Sequence, residues 1–302
     1  MAQARMHADE IDTDEELVGR LVAAEFPQWA GLPVTRVPSA GTDNAMYRLG
    51  AELVVRLPRR PGATEAVVKE QRWLPLLAPR LPLAVPEPLG TGAPSAEFPL
   101  PWSMLRWLDG ADAVASPPDD PDLTAAQLAA FVTALRGIDA TGGPHGFRSV
   151  PLIQRDAGVR ADIAALDRRG MVDPAVATAA WESSLAADPW TGPPVWVHCD
   201  LLPGNLLVDR GRLVAVIDFG GLNAGDPAAD LLPAWTSFSG AARDTFRDLA
   251  APDEATWLRG RGWALCFGFG ALAYYHRTNP VLAAVARTAI AEALADFTAT
   301  GR

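Results

Sequence analysis

Cysteine is scarce. Cys199 and Cys266 stand 67 residues apart with no CxxC pattern, so neither a zinc site nor a disulfide framework is expected. Long hydrophobic runs are missing as well. The most apolar stretch near the C-terminus, Gly262 to Tyr275, has 14 residues, short of the roughly 20 that a bilayer-spanning helix needs. Met1 to Ala30 lacks a basic start followed by an apolar core and carries Asp9, Glu10, Asp12, Asp14, Glu15 and Glu16 instead. That argues against a secretory leader and for a cytoplasmic protein. Positive charge is in deficit, with 26 Lys and Arg against 36 Asp and Glu, a net charge of −10. A nucleic-acid partner needs a basic face and is disfavoured. A cationic small molecule is mildly favoured by long-range attraction, although a negative surface also serves solubility alone.

What remains is a globular composition, 49% hydrophobic and 21% charged over 302 residues, enough for two lobes. Helical periodicity covers Thr13 to Phe26 and Ala63 to Leu77. Val34–Val37, Ala45–Leu49 and Glu52–Leu57 read as strands, with Ser39 to Asn44 and Gly50 as turns between them. Pro82, Pro86 and Pro88 mark an extended connection, and Pro101–Trp107 reads as a further strand. After a Pro-rich, acidic loop from Ser116 to Pro121 the chain is mostly helical, around 123–138, 156–169, 174–187, 226–237, 241–250, 254–276 and 280–299. Trp235, Trp257 and Trp263 lie at helical spacing in this part and read as core rather than as a stacking surface. The expected architecture is α+β and bilobal, a strand-rich lobe over 1–108 followed by a larger helical lobe over 109–302.

The chemistry is concentrated in His198-Cys199-Asp200-Leu201-Leu202-Pro203-Gly204-Asn205 and Ile217-Asp218-Phe219-Gly220. A lone Asp before a turn is ordinarily a cap. Here an Asn follows five residues later and a second Asp thirteen beyond that, the spacing of a phosphoryl-transfer site. Asp200 can orient and deprotonate a substrate hydroxyl, and Pro203-Gly204 bend the chain so that Asn205 turns toward the same point. Leu206–Val208 and Leu213–Ile217 read as a hairpin around Asp209–Arg212, which returns Asp218 beside Asn205. Both offer hard oxygen ligands suited to Mg2+. His198 reads as a structural residue bracing the loop.

These motifs, with Asp226-Pro227-Ala228-Ala229-Asp230-Leu231 and Gly41-Thr42-Asp43-Asn44, resemble the aminoglycoside phosphotransferase family within the protein-kinase-like superfamily, over about residues 35 to 275. The resemblance implies a protein-kinase-like fold that binds Mg-ATP or Mg-GTP between its lobes and moves the γ-phosphate to a hydroxyl. It makes Asp200 the catalytic base and Asn205 and Asp218 the metal ligands. Arg56 stands for a basic residue on the α- and β-phosphates, with Glu70 or Glu65 as its acidic partner. Thr42, Asp43 and Asn44 form the turn over the phosphates, although the chain has neither a Walker motif nor a three-glycine loop. Leu105-Arg106-Trp107-Leu108 aligns with the hinge that meets the base, so Arg106 and Leu108 are nucleotide-contact residues. Asp230 is a buried tether of the catalytic loop. Two departures stand out: Cys199 where such enzymes often carry Gly, and Arg56 in place of Lys. An aminoglycoside-type antibiotic is the first expectation for the acceptor. A macrolide, a choline- or homoserine-like metabolite, or an inactive binding protein of the same fold are alternatives, and the oligomeric state, monomer or homodimer, is open.

Overall fold

The computed structural model describes residues 10–38, 41–146, 148 and 150–301. Asp9 of the acidic start and Ser39 and Ala40 of the first turn lie outside the described residues. Helix α1 (Glu15–Glu25) begins where the Asp14 carboxylate accepts from the Leu17 amide at 2.7 Å. Its buried residues Leu17, Val18, Leu21 and Val22 share one face, which packs with the sheet core.

That sheet is antiparallel and five-stranded, in the order β1 (Val34–Val37), β2 (Asn44–Leu49), β3 (Leu53–Pro58), β5 (Trp102–Arg106), β4 (Pro88–Gly92). The central strand β3 is buried at every position, including Arg56, and a charge in that place requires partners. Strand β4 corrects the expectation of a plain extended connection. It lies on the sheet edge with Pro88 at its first position, where the missing N–H costs no ladder bond, and its register shifts between Pro88 and Gly90. A Cβ at Gly92 would lie 1.8 Å from the Trp102 ring, so the indole rests on bare backbone there. Helix α2 (Thr64–Leu77) follows β3 and carries Glu70, Leu74 and Leu77 on one buried face.

Beyond Leu108 come β6 (Ala111–Asp112), α3 (Pro121–Arg136), α4 (Asp156–Asp167), α5 (Pro174–Leu185), β7 (Val195–Val197), β8 (Leu206–Asp209), β9 (Arg212–Val216), β10 (Asn223–Gly225), α6 (Pro233–Thr236), α7 (Gly240–Ala250), α8 (Glu254–Tyr275) and α9 (Pro280–Thr300). Strands β6, β8 and β9 form one small sheet, and β7 pairs with β10. The β8–β9 hairpin turns at Arg210 and Gly211, with φ of 47° and 73°, the pair of left-handed residues that matches strand twist. The helix expected over 226–237 is instead a 3-10 turn (Pro227–Leu231) and the short α6. Pro233 stands at the first position of α6, where its missing N–H costs no helical bond and its fixed φ suits a helix start.

The helical core contains Trp235, Trp257 and Trp263, all buried, with the first two rings 4.6 Å apart. Leu74 and Leu77 of α2 join this core rather than that of the sheet, so α2 serves both sides. Among the described residues no helix is long and apolar enough to cross a membrane.

Candidate active site

Arg56 is the hub on the sheet side. Its Nη1 donates to both carboxylate oxygens of Glu70 at 2.6 Å, and its Nη2 donates to Asp218 Oδ1 at 2.6 Å. Glu70 is wholly buried and Glu65 is exposed, so Glu70 is the acidic partner of Arg56. With the Asn44 amide turned so that its oxygen faces the guanidinium, Arg56 Nε and Nη2 also donate to Asn44 at 3.1 and 3.0 Å. Burial opposes the Arg56 charge, yet Glu70 and Asp218 hold the guanidinium above its ordinary range. Burial pushes the Glu70 carboxyl up, with Arg56 working against it. For Asp218 burial works upward too, but the Arg56 guanidinium prevails and holds it below the usual Asp range. The Asp218 side chain is still 37% exposed, so it faces the opening between sheet and helices.

The catalytic-loop candidate hangs from Asp230. One carboxylate oxygen accepts from the His198 amide at 2.8 Å and the other from the Cys199 amide at 2.7 Å. Burial pushes Asp230 up to about 6, with those two N–H groups pulling the other way. His198 Nε2 donates to the Ile217 carbonyl at 3.0 Å while its Nδ1 accepts from the Asp200 amide at 3.1 Å. The buried imidazole is therefore neutral, and burial lowers its pKa, so it braces the loop rather than moving protons. Cys199 sits at φ 69°, in the region that favours glycine, which gives the departure noted above a backbone cost of roughly 1–3 kcal/mol. Burial raises the Cys199 thiol far above its usual range, so it is inert.

Asp200 and Asn205 meet directly. Asn205 Nδ2 donates to Asp200 Oδ2 and to the Asp200 carbonyl, both at 2.8 Å. With its nitrogen turned to Asp200, the amide presents its Oδ1 away from that pair. The Ile217 amide donates to the Asn205 carbonyl at 2.9 Å, which brings Asp218 to the neighbouring position. Asn205 and Asp218 thus stand on paired neighbouring backbone, each with a side-chain oxygen of the kind a hard divalent cation takes. Among the described residues no group of three His, Cys, Asp or Glu side chains is placed to hold a metal ion.

Other expected residues fall further out. The Thr42 side chain lies beside Tyr275 at the end of α8, and Asp43 accepts from Arg60 at 3.1 Å on the surface. Arg106 donates to Glu87 at 2.6 Å, with both side chains about half exposed, so its guanidinium does not join the cluster. The Leu108 amide and carbonyl have no backbone partner among the described residues.

Two contacts had no motif to announce them. Arg148 Nη1 donates to Asp200 Oδ1 at 2.8 Å across 52 residues of chain. Lys69 Nζ donates to the Gly220 carbonyl at 2.7 Å, tying α2 to the turn after Asp218. A cavity of about 640 Å3 is bordered by Val114, Pro203, Leu206, Phe238, Val281 and Val285; no charged side chain lines it, and neither Asp200, Asn205 nor Asp218 does.

The same architecture recurs in solved structures. The GDP complex of wild-type aminoglycoside 2′-phosphotransferase-IIIa matches at TM-score 0.73 and 18% identity, over 94% of this chain and 99% of that one. Macrolide 2′-phosphotransferase MphH from Brachybacterium faecium matches at TM-score 0.60 and 27% identity, over 92% and 98%. Macrolide 2′-phosphotransferase type I matches at TM-score 0.62 and 23% identity, over 91% and 97%. No curated protein matches the chain. The phosphotransferase enzyme family profile spans residues 34–275, from β1 to the end of α8 and across every element of the Asp200 cluster, and the chain belongs to that family.

Proposed function

We propose that the protein transfers the γ-phosphate of ATP or GTP to a hydroxyl of a small-molecule antibiotic. The observation that carries this reading is the direct Asp200–Asn205 contact with Asp218 brought alongside by the Ile217–Asn205 backbone bond. In this reading residues 1–108 form the nucleotide side and 109–302 the catalytic and acceptor side. Leu108 offers its free backbone groups to the base, and Arg106 contributes backbone position rather than its side chain. Thr42, Asp43 and Asn44 border the phosphates. Arg56 holds the α- and β-phosphates, keeping Glu70 behind it as an anchor. Asn205 and Asp218 hold Mg2+, which supplies neutralisation of phosphate charge.

The chemical step forms a bond from the acceptor oxygen to the γ-phosphorus. The bond from that phosphorus to the β–γ bridging oxygen breaks, its electron pair leaving with the nucleoside diphosphate. Asp200 receives the hydroxyl proton. An inactive binding protein would have no use for this intact set.

An aminoglycoside is the first acceptor reading and fits the net charge of −10. A macrolide is the second, favoured by 27% identity to the Brachybacterium enzyme against 18% to the aminoglycoside enzyme. The deciding experiment is nucleotide turnover with magnesium against a panel of aminoglycosides, macrolides, choline and homoserine. Stimulation by one antibiotic class supports the proposal and names the acceptor; stimulation by choline or homoserine alone would overturn the antibiotic assignment.

A further inference from the structure

Asp200 is held on both sides. Its Oδ2 accepts from Asn205 and its Oδ1 from Arg148, each at 2.8 Å, so both carboxylate oxygens are pinned and the plane of the group is set. The loop itself supplies no cation, since Leu201, Leu202, Pro203 and Gly204 separate the two motif residues. Arg56 is engaged with Glu70 and Asp218, and Lys69 with the Gly220 carbonyl. The positive charge against Asp200 comes from Arg148.

The segment carrying Arg148 is built into the site. The Ala224 amide of β10 donates to the Pro144 carbonyl at 2.7 Å. Gly146 passes so close to Asn223 that a Cβ there would lie 2.5 Å from the amide oxygen. Asn223 Nδ2 in turn donates to the Gly221 carbonyl at 2.7 Å and approaches Cys199 Sγ at 3.8 Å. The residue before Asp200, the turn after Asp218 and the approach to Arg148 therefore share one packed junction. The Arg148 side chain is 21% exposed and that of Asp200 28%, so the pair faces a partly dry space. A charge-assisted contact is stronger there than at an open surface.

We propose that Arg148 is the positioning residue of phosphoryl transfer, acting through Asp200. It aims the carboxylate at the acceptor hydroxyl. It also offsets a negative charge that would otherwise stand beside the incoming γ-phosphate. The step is the one written above, in which Asp200 gains the hydroxyl proton as the β–γ bond breaks, and the proposal rests on that reading of the site. Held geometry matters because misplacement by about 1 Å can cost on the order of 10²-fold in rate.

The test compares wild type with Arg148→Ala and Arg148→Lys. The readouts are magnesium-dependent turnover of ATP and GTP, nucleotide affinity and thermal stability, with and without low-millimolar guanidinium. The expected result for Arg148→Ala is unchanged nucleotide affinity, a turnover number lower by about 10²-fold, and partial recovery with guanidinium. Arg148→Lys keeps a charge but not the planar guanidinium that reaches Asp200 Oδ1 and falls between the two. Unchanged turnover in Arg148→Ala would overturn the proposal. So would a loss that follows lost affinity or lost fold and does not respond to guanidinium, since that marks a structural role only. Wild type that binds neither nucleotide would overturn the kinase reading itself and the role with it, a result distinct from an active wild type with an equally active Arg148→Ala.

Discussion

In the proposed mechanism Asp200 takes the acceptor proton, and its environment sets what a change there should do. Asp200→Asn preserves shape but cannot take a proton, so transfer should fall by about 10²–10⁴-fold while nucleotide affinity stays. Glu70→Ala should act differently. It strips the buried Arg56 of its main partner, and breaking a buried pair costs about 3–5 kcal/mol. Denaturant unfolding should show that loss, together with weaker nucleotide binding. Asp230 carries a pH signature. Its folded value of about 6 lies above the ordinary Asp value of about 3.9, so the folded state binds this proton more tightly than the unfolded state does. Its contribution to stability is therefore greatest at low pH and declines as pH rises from about 4 to about 6, levelling above. In Asp230→Asn that decline should vanish, with a pH-independent loss of about 1–3 kcal/mol for the backbone N–H left unpaired. Urea titrations at several pH values on both proteins would check it.

At the scale of elements, the helices were readable from their apolar periodicity, and the structure adds the caps that start them. Helices α1, α3 and α8 start beside Asp14, Asp120 and Asp253, whose side chains cap Leu17, Leu123 and Thr256. The hairpin that returns Asp218 was legible from its hydrophobic runs and from Asp209-Arg210-Gly211-Arg212. Strand β4 was obscured because proline dominated its local signal while its pairing partner β5 lies beyond a turn. The break at Pro233 was lost within an Ala- and Leu-rich stretch. Arg148 was illegible for a different reason: no local pattern marks a contact made across 52 residues by a loop. The close fit of β4 on β5 gives its own prediction. Gly92→Ala should drive a methyl group into the Trp102 ring and cost about 1–3 kcal/mol, visible as a lower Tm.

For the whole molecule, Arg56 to Asp218 and Lys69 to the Gly220 carbonyl are among the contacts that tie the sheet side to the helical side at the site. A ligand held across that junction should stabilise both parts together. Mg-nucleotide at about 100 times its Kd should add about 2.7 kcal/mol to unfolding, and the magnesium-dependent share should disappear in Asn205→Ala or with EDTA. In the proposed function Asp200 drives transfer of a phosphoryl group to a small-molecule hydroxyl. The most direct test is mass analysis of an antibiotic acceptor incubated with magnesium and nucleotide, using wild type and Asp200→Asn in parallel. Wild type should yield the acceptor with one added phosphoryl group, and the variant about 10²–10⁴-fold less of it at the same early time. Phosphorylated product at equal yield from both proteins would contradict that role for Asp200.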